Sequence, residues 1–393
     1  MFGFLRFCFQ GGEKISRREI RVSISELSQI WLPYNQSFLL PEKDSKSVKE
    51  LEGGAQPTEG FFSQSLIQEF YDPYRLYFEN QGAREGFIAL LQFLDKVRDF
   101  PSVRGGKEGG DSQFFGFGEL LSKVSLGEHS VDVARIMLNL LRETYRDYKN
   151  LIPKALVSSL GHDIGKAPVV SESGAYGKAD HPILSAQKVE ELFSEREPSW
   201  LKSALDSIKW HHSPKISDQF TSLLKTADLR ARAMEVASRN RELKVKEWDE
   251  WFNLKEFLEV LLPEINVLQT GNKWKAFSLG SVVYFQTEYL YESLRTLARK
   301  KGVIDVRLLR VMEKQEALKR IAETLRKERL LSDEIREPYW GRYFEVRTQK
   351  YHKKMFLVPI KIEAFEVLPH VIEERKEGYL REIEGVVPMG GGE

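Results

Sequence analysis

One cysteine, Cys8, in 393 residues leaves no disulfide framework and no cysteine-rich zinc module to consider. Long apolar runs are missing too. Residues 1–9 are apolar, but Arg6 interrupts them and Gln10-Gly-Gly-Glu-Lys follows at once. A spanning helix needs about 20 apolar residues and a secretory signal needs a basic start before its apolar run, so this stretch reads as a short strand or a membrane-touching tail, with the strand favoured. Charge of one sign is also absent in excess: 59 Lys and Arg stand against 58 Asp and Glu. Any nucleic-acid surface must therefore come from local clustering. No repeat of about 20 to 50 residues is visible, which excludes a solenoid. A cytoplasmic protein without stable membrane insertion is expected.

What is present can fill real cores, with 41% apolar residues including 11% aromatics. The length exceeds the roughly 250 to 300 residues at which a single core stops growing, so more than one domain is expected. Composition shifts place an N-terminal extension and linker at 1–60, with strand-like residues at 18–24 and a polar, glycine-rich linker at 41–60. A helical region covers 61–262, interrupted by the glycine-rich 104–110; an α+β region covers 263–375, and a flexible tail covers 376–393.

Five of the seven histidines fall within 129–212: His129, His162, His181, His211 and His212. Asp163 follows His162 directly, and Asp228 follows in Thr-Ala-Asp-Leu-Arg. Helical spacing gives these residues a common direction. His162 and Asp163 lie seven residues beyond Ala155 and Leu156 and extend their apolar stripe. Leu201, Leu205, Ile208 and His212 form a second stripe, and Leu223, Leu224, Ala227 and Asp228 a third. His129 precedes a helix read as 131–145, whose stripe is Ala134, Met137, Leu138 and Leu141. Buried carboxylates need compensation, which a cation supplies. Mixed nitrogen and carboxylate ligands suit one or two divalent ions, with Mn, Fe, Zn, Ni and Mg all open. His352 and His370 lie outside this window and read as solvated or ordinary packing residues.

Gly161-His-Asp-Ile-Gly-Lys166, with His129 before it and Asp228 after it, resembles the HD superfamily of metal-dependent phosphohydrolases. The resemblance implies an all-helical bundle in which His129, His162, Asp163 and Asp228 hold a first metal. His181 and His211 or His212 resemble the binuclear branch, in which Asp163 bridges to a second. Paired cations would clamp a phosphate oxygen and lower the pKa of a bridging water, making Asp163 and Lys166 the catalytic residues of a phosphorylated or nucleotide substrate. Lys166, Arg230 and Arg232 are the candidate phosphate contacts. The Gly-Tyr-Pro stretch of the cyclic-di-nucleotide phosphodiesterases is absent after His212, which reads Ser-Pro-Lys instead. Mixed-valent diiron oxygenases share the ligand set, but their substrate-side determinants are not recognisable.

The C-terminal third predicts a strand at 281–285, helices at 287–300 and 315–331, and a hairpin of 341–346 with 355–360. Its loop, 347–354, is basic, with Arg347, Lys350, Lys353 and Lys354 as nucleic-acid candidates. Helices followed by a basic-tipped hairpin suggest a winged helix, which binds DNA or protein. The expected fold is thus mainly α, an HD-type helical bundle followed by a smaller, winged-helix-like α+β domain. That architecture, together with Val124-Ser-Leu-Gly-Glu-His129 and Leu262-Pro-Glu-Ile-Asn266, is loosely similar to the HD-type, or MobH, conjugative relaxases, and implies a DNA phosphodiester as substrate. The competing expectation is a non-enzymatic DNA-binding or scaffold protein that retains an HD fold.

Overall fold

The computed structural model describes residues 62–103, 117–171, 180–213, 216, 218–310, 313–349 and 352–389. The expected strand at 18–24, the linker at 41–60, the glycine-rich 104–110 and Lys350 lie outside these residues. Pro57–Glu393 form one compact unit.

Helices come first in the chain. They are α1 (Arg84–Val97), α2 (Leu126–Thr144), α3 (Ile152–Gly161), α4 (His181–Leu192), α5 (Leu201–Trp210) and α6 (Gln219–Arg239). Local chemistry sets their ends. Ser125 accepts a hydrogen bond from the Glu128 N–H and caps α2. That cap starts the helix five residues earlier than expected, so His129 sits inside its first turn rather than ahead of it. Asp218 caps α6 by accepting from the Thr221 N–H. Pro153 opens α3 and Pro182 opens α4, where a missing N–H costs nothing.

The apolar faces of these helices meet in one cluster. Leu90, Leu91, Val133, Ala134, Met137, Leu156, Leu160, Val189, Ile208, Leu224 and Ala227 are all fully buried within it. Truncating a leucine at such a position costs about 2–5 kcal/mol. The cluster matters for function because α2, α6 and the turns that follow α3 and α5 each carry a polar side chain from it to a shared centre.

A second cluster builds the C-terminal region. It packs α7 (Leu254–Leu261), α8 (Thr287–Lys300) and α9 (Lys314–Lys327) against a five-stranded antiparallel sheet. The strands are β1 (Ala276–Leu279), β2 (Val282–Gln286), β3 (Arg342–Thr348), β4 (His352–Lys361) and β5 (Ile383–Pro388), in the order β1-β2-β4-β3-β5. Trp248, Trp251, Phe257 and Leu261 already belong to this core, so the core changes ahead of residue 262.

The expected hairpin forms as β3 and β4, but both are inner strands with neighbours on either side rather than a free wing. Its pairing also runs further than expected. Glu345 faces Lys354, Val346 faces Lys353 and Arg347 faces His352, which places three of the four basic candidates on strands instead of in a loop. The tail is corrected as well: residues 383–388 form β5, paired with β3 from Phe344 to Thr348. A smaller apolar cluster joins the two regions, with Ala233 and Val236 of α6 meeting Ile304 and Leu309.

Candidate metal centre

The turn after α3 carries His162, Asp163, Ile164, Gly165 and Lys166, and Gly165 together with Gly161, the last residue of α3, decides what can approach it. A Cβ on Gly165 would lie 2.4 Å from the His181 carbonyl oxygen and 2.6 Å from the Ser185 nitrogen. A Cβ on Gly161 would lie 2.7 Å from Val189. Both glycines thus make room for α4, and the Gly165 N–H donates to Ser185 Oγ at 2.8 Å. This close packing brings His181, the first residue of α4, to 3.3 Å from Asp163 Oδ1.

Three histidines are oriented alike by acceptors behind them. His162 Nδ1 donates to the Ser159 carbonyl and His211 Nδ1 to the Ile208 carbonyl, both at 2.7 Å. Each carbonyl lies three residues back, on a helix end whose acceptors lack helical partners. His129 Nδ1 lies 2.6 Å from Glu235 Oε1 and donates to it. With each Nδ1 donating, the neutral ring presents an Nε2 lone pair forward, the state a metal ligand requires.

Those forward atoms have no hydrogen-bond partner. His129 Nε2, His162 Nε2, His211 Nε2, Asp163 Oδ1 and Asp228 Oδ1 are buried and unsatisfied. An orphaned buried polar atom costs roughly 1–3 kcal/mol, so five facing one another call for an occupant. His129 Nε2 lies 3.4 Å from Asp163 Oδ2 and 3.3 Å from Asp228 Oδ1; His162 Nε2 lies 3.4 Å from Asp163 Oδ2. Ligand atoms fall within 4.8 Å of one another in three groups: His129, His162 and Asp163; His162, His211 and Asp228; and Asp163, His181, His211 and His212. Nitrogen lone pairs and carboxylate oxygens are a suitable donor set for a divalent cation, and the residues present fit one.

Charge alone does not demand that cation. Asp163, Asp228 and Glu235 are buried, but Arg232, Arg310 and Lys166 lie against them. The expected need for a metal to neutralise buried carboxylates is therefore corrected: basic side chains already do so, and the unpaired lone pairs carry the argument. Burial would raise the Asp163 carboxyl, yet the facing histidines and Lys166 hold it well below the usual range. Burial opposes ionisation of Asp228 in the same way, and Arg310 and His129 overcome it. Glu235 is pulled down to about 2 by His129 and Arg232 against its burial. Burial keeps His162, His181 and His211 neutral, with pKa values of about 4. His129 differs: burial and Arg232 oppose its protonation, but Glu235, Asp163 and Asp228 prevail and raise it to about 9.

One side of the centre meets solvent. His181 is 31% exposed and Lys166 14%, whereas His129, His162 and Asp163 are at most 1% exposed. Lys166 donates to Asp163 Oδ2 at 2.5 Å, so it faces this mouth while paired to a ligand. His212 is half-buried beside it, its Nε2 3.1 Å from that of His181. The apolar stripe had pointed to His212 as the inward residue of the pair; α5 ends at Trp210, and the turn that follows buries His211 fully instead.

The remaining expected residues go elsewhere. Arg232 is fully buried, donating to Ser102 Oγ at 2.8 Å and Glu235 Oε2 at 3.0 Å, with Asp163 Oδ2 at 3.4 Å. It is a supporting residue under the ligands rather than a phosphate fork. Arg230, two residues from Asp228 on α6, pairs with Glu247 at 3.4 Å, away from the ligand face. Arg347 pairs with Glu345, Lys354 lies 4.5 Å over the Tyr343 ring, and Lys353 is exposed on β4. Asp228 is in the middle of α6, with Arg232 and Glu235 four and seven residues on; that spacing was the signal that could have identified Glu235. Arg310, far along the chain, had no such signal.

Residues 126–249 match the family model of the HD domain. No curated protein and no solved structure matches the chain.

Proposed function

We propose that this chain is a metal-dependent phosphohydrolase whose catalytic centre is the His129, His162, Asp163 and Asp228 cluster of its HD domain. The observation that carries the reading is the convergence of partnerless Nε2 and carboxylate oxygen atoms at a buried point. A divalent ion held there would polarise a phosphoryl oxygen and make a bound water acidic enough to attack phosphorus near neutral pH.

The chain's own residues supply the rest. The Ser159 and Ile208 carbonyls hold His162 and His211 in the ligand tautomer before anything binds, and Glu235 fixes the orientation of His129, which has still to give up its Nε2 proton. Lys166, partly exposed at the mouth and paired with Asp163, would present its ammonium to an incoming phosphate. His181 borders the same opening, and the buried walls behind it exclude bulk water, which strengthens each charge interaction. Asp163 contacts both groups of ligands and so couples the mouth to the interior.

The finer reading, a DNA phosphodiester as in the relaxases, rests on the exposed Lys353 and Lys354 of β4, with Glu345 partly neutralising that strand pair. Phosphoester hydrolysis is the reading we carry forward. It is tested by chelating the protein and assaying bis-p-nitrophenyl phosphate with and without added Mn. Turnover restored by Mn and abolished by Asp163→Asn supports it. Metal content near zero with no turnover leaves a binding or scaffold protein. Salt-dependent DNA binding lost on Lys353→Ala with Lys354→Ala would add the DNA reading.

A further inference from the structure

Arg310 comes from outside the matched segment 126–249 and ends at the centre of the ligand cluster. Its Nη2 donates to Asp228 Oδ2 at 2.9 Å, and its Nη1 lies 3.1 Å from His212 Nδ1. Resting on the metal-centre reading above, we infer that Arg310 replaces a second cation, so that the site takes one divalent ion where its seven ligand-type side chains would suggest two.

Lone pairs decide how many ions the site can hold. A guanidinium has only donors, so His212 Nδ1 must accept. A neutral His212 that accepts at Nδ1 carries its hydrogen on Nε2, and that nitrogen then has no lone pair for a metal. The Nε2–H points to His181 Nε2 at 3.1 Å and occupies the lone pair there as well. The second group, Asp163, His181, His211 and His212, thereby loses two of its four donors. The first is untouched: Arg310 takes Asp228 Oδ2, while Oδ1, toward His129, stays unpaired. The histidines with a carbonyl or carboxylate behind Nδ1 are metal-ready, and His212, with an arginine behind it, is not.

The segment bearing Arg310 is built to hold it there. Asp305, 1% exposed, accepts from the Arg307 N–H and from Trp251 Nε1, both at 2.9 Å. Tyr291, buried on α8, donates to the Arg307 and Arg310 carbonyls at 3.3 and 3.2 Å. Leu308 and Leu309 are buried, the latter against Ala233 and Val236 of α6. Arg310 is 6% exposed, so it is a fixed part of the site's wall. The charge count agrees: three basic side chains already face three carboxylates, leaving less attraction for a second divalent ion.

The test is metal stoichiometry, read by calorimetric titration of the chelated full-length protein with Mn and by Mn electron paramagnetic resonance. Wild type should take up one equivalent and show an isolated six-line ion. Arg310→Met, similar in length without donors, should take up two, with exchange coupling between them and second-site affinity raised at least about tenfold. Arg310→Lys keeps a charge but has a single donor head; it should pair with Asp228, release His212 and bind a second equivalent more weakly than Arg310→Met. If Arg310→Met fails to fold, the lysine variant decides alone. Two equivalents in wild type, or one in every folded variant, overturns the inference. No metal in any form overturns the metal-centre reading itself.

Discussion

Glu235 Oε1 lies 2.6 Å from His129 Nδ1, with both side chains fully desolvated. In the proposed metal centre this pair would turn a buried histidine into an oriented ligand and make Glu235 as consequential as the residues that would touch the ion. Glu235→Ala should weaken Mn binding by about 10–100-fold. Glu235→Gln, whose amide oxygen can still accept from Nδ1, should lose less. Calorimetric titration of the two variants measures the difference; equal affinity for wild type and Glu235→Ala would leave Glu235 without this role.

The same pair sets a pH dependence. Without a cation, His129 holds its proton up to about 9, whereas His162, His181 and His211 are neutral above about 4. A metal must displace the His129 proton, so affinity should rise as pH rises toward 9 and level off beyond it. Titration at pH 7 in buffers of different ionisation enthalpy should report release of about one proton per ion. Stability of the metal-free protein should move oppositely. A folded pKa raised from 6.5 to about 9 gives a contribution fully present below 6.5 and lost between 6.5 and 9. Thermal midpoints of chelated protein across that window measure it.

Arg232 lies between Glu235 and Asp163 with no exposure, so its removal takes a buried positive partner from both carboxylates and leaves them to His129 and Lys166. Arg232→Ala should destabilise the fold by about 3–5 kcal/mol, seen as a lowered urea midpoint. Added Mn should restore part of the loss, because a bound ion compensates Asp163.

Gly165→Ala places a methyl 2.4 Å from the His181 carbonyl oxygen, a backbone atom that cannot turn aside. About 1–3 kcal/mol of destabilisation is expected from overpacking, together with reduced turnover as α4 and His181 move outward. Full activity and an unchanged thermal midpoint would show that α4 yields at no cost.

Much of this site was legible in the sequence because its first ligands are short-range signals. His162 and Asp163 extend the stripe of α3, and Asp228 continues that of α6. Legibility stopped where helices end. The stripe through Leu201, Leu205 and Ile208 projected to His212 at a spacing of four, but His211, at a spacing of three and still in the right-handed helical conformation, is the one fully buried. Helical spacing puts Glu235 on the face of Asp228, a signal that the sequence reading passed over because the helix carries several charges and His129 had yet to be placed against it. Arg310 was out of reach, since only tertiary packing of Tyr291 and Asp305 brings it 2.9 Å from Asp228. In the C-terminal region the strands and helices followed alternation and amphipathicity. The basic residues suggested a loop, because charge on an exposed strand face looks the same as charge in a turn.

In the proposed function, a divalent ion binds where these lone pairs meet. Anomalous diffraction at the manganese edge, from crystals grown with Mn, tests it most directly. A peak is expected within bonding distance of His129 Nε2, His162 Nε2, an oxygen of Asp163 and Asp228 Oδ1. A peak elsewhere, or none at that point with the four side chains still converged, would contradict it.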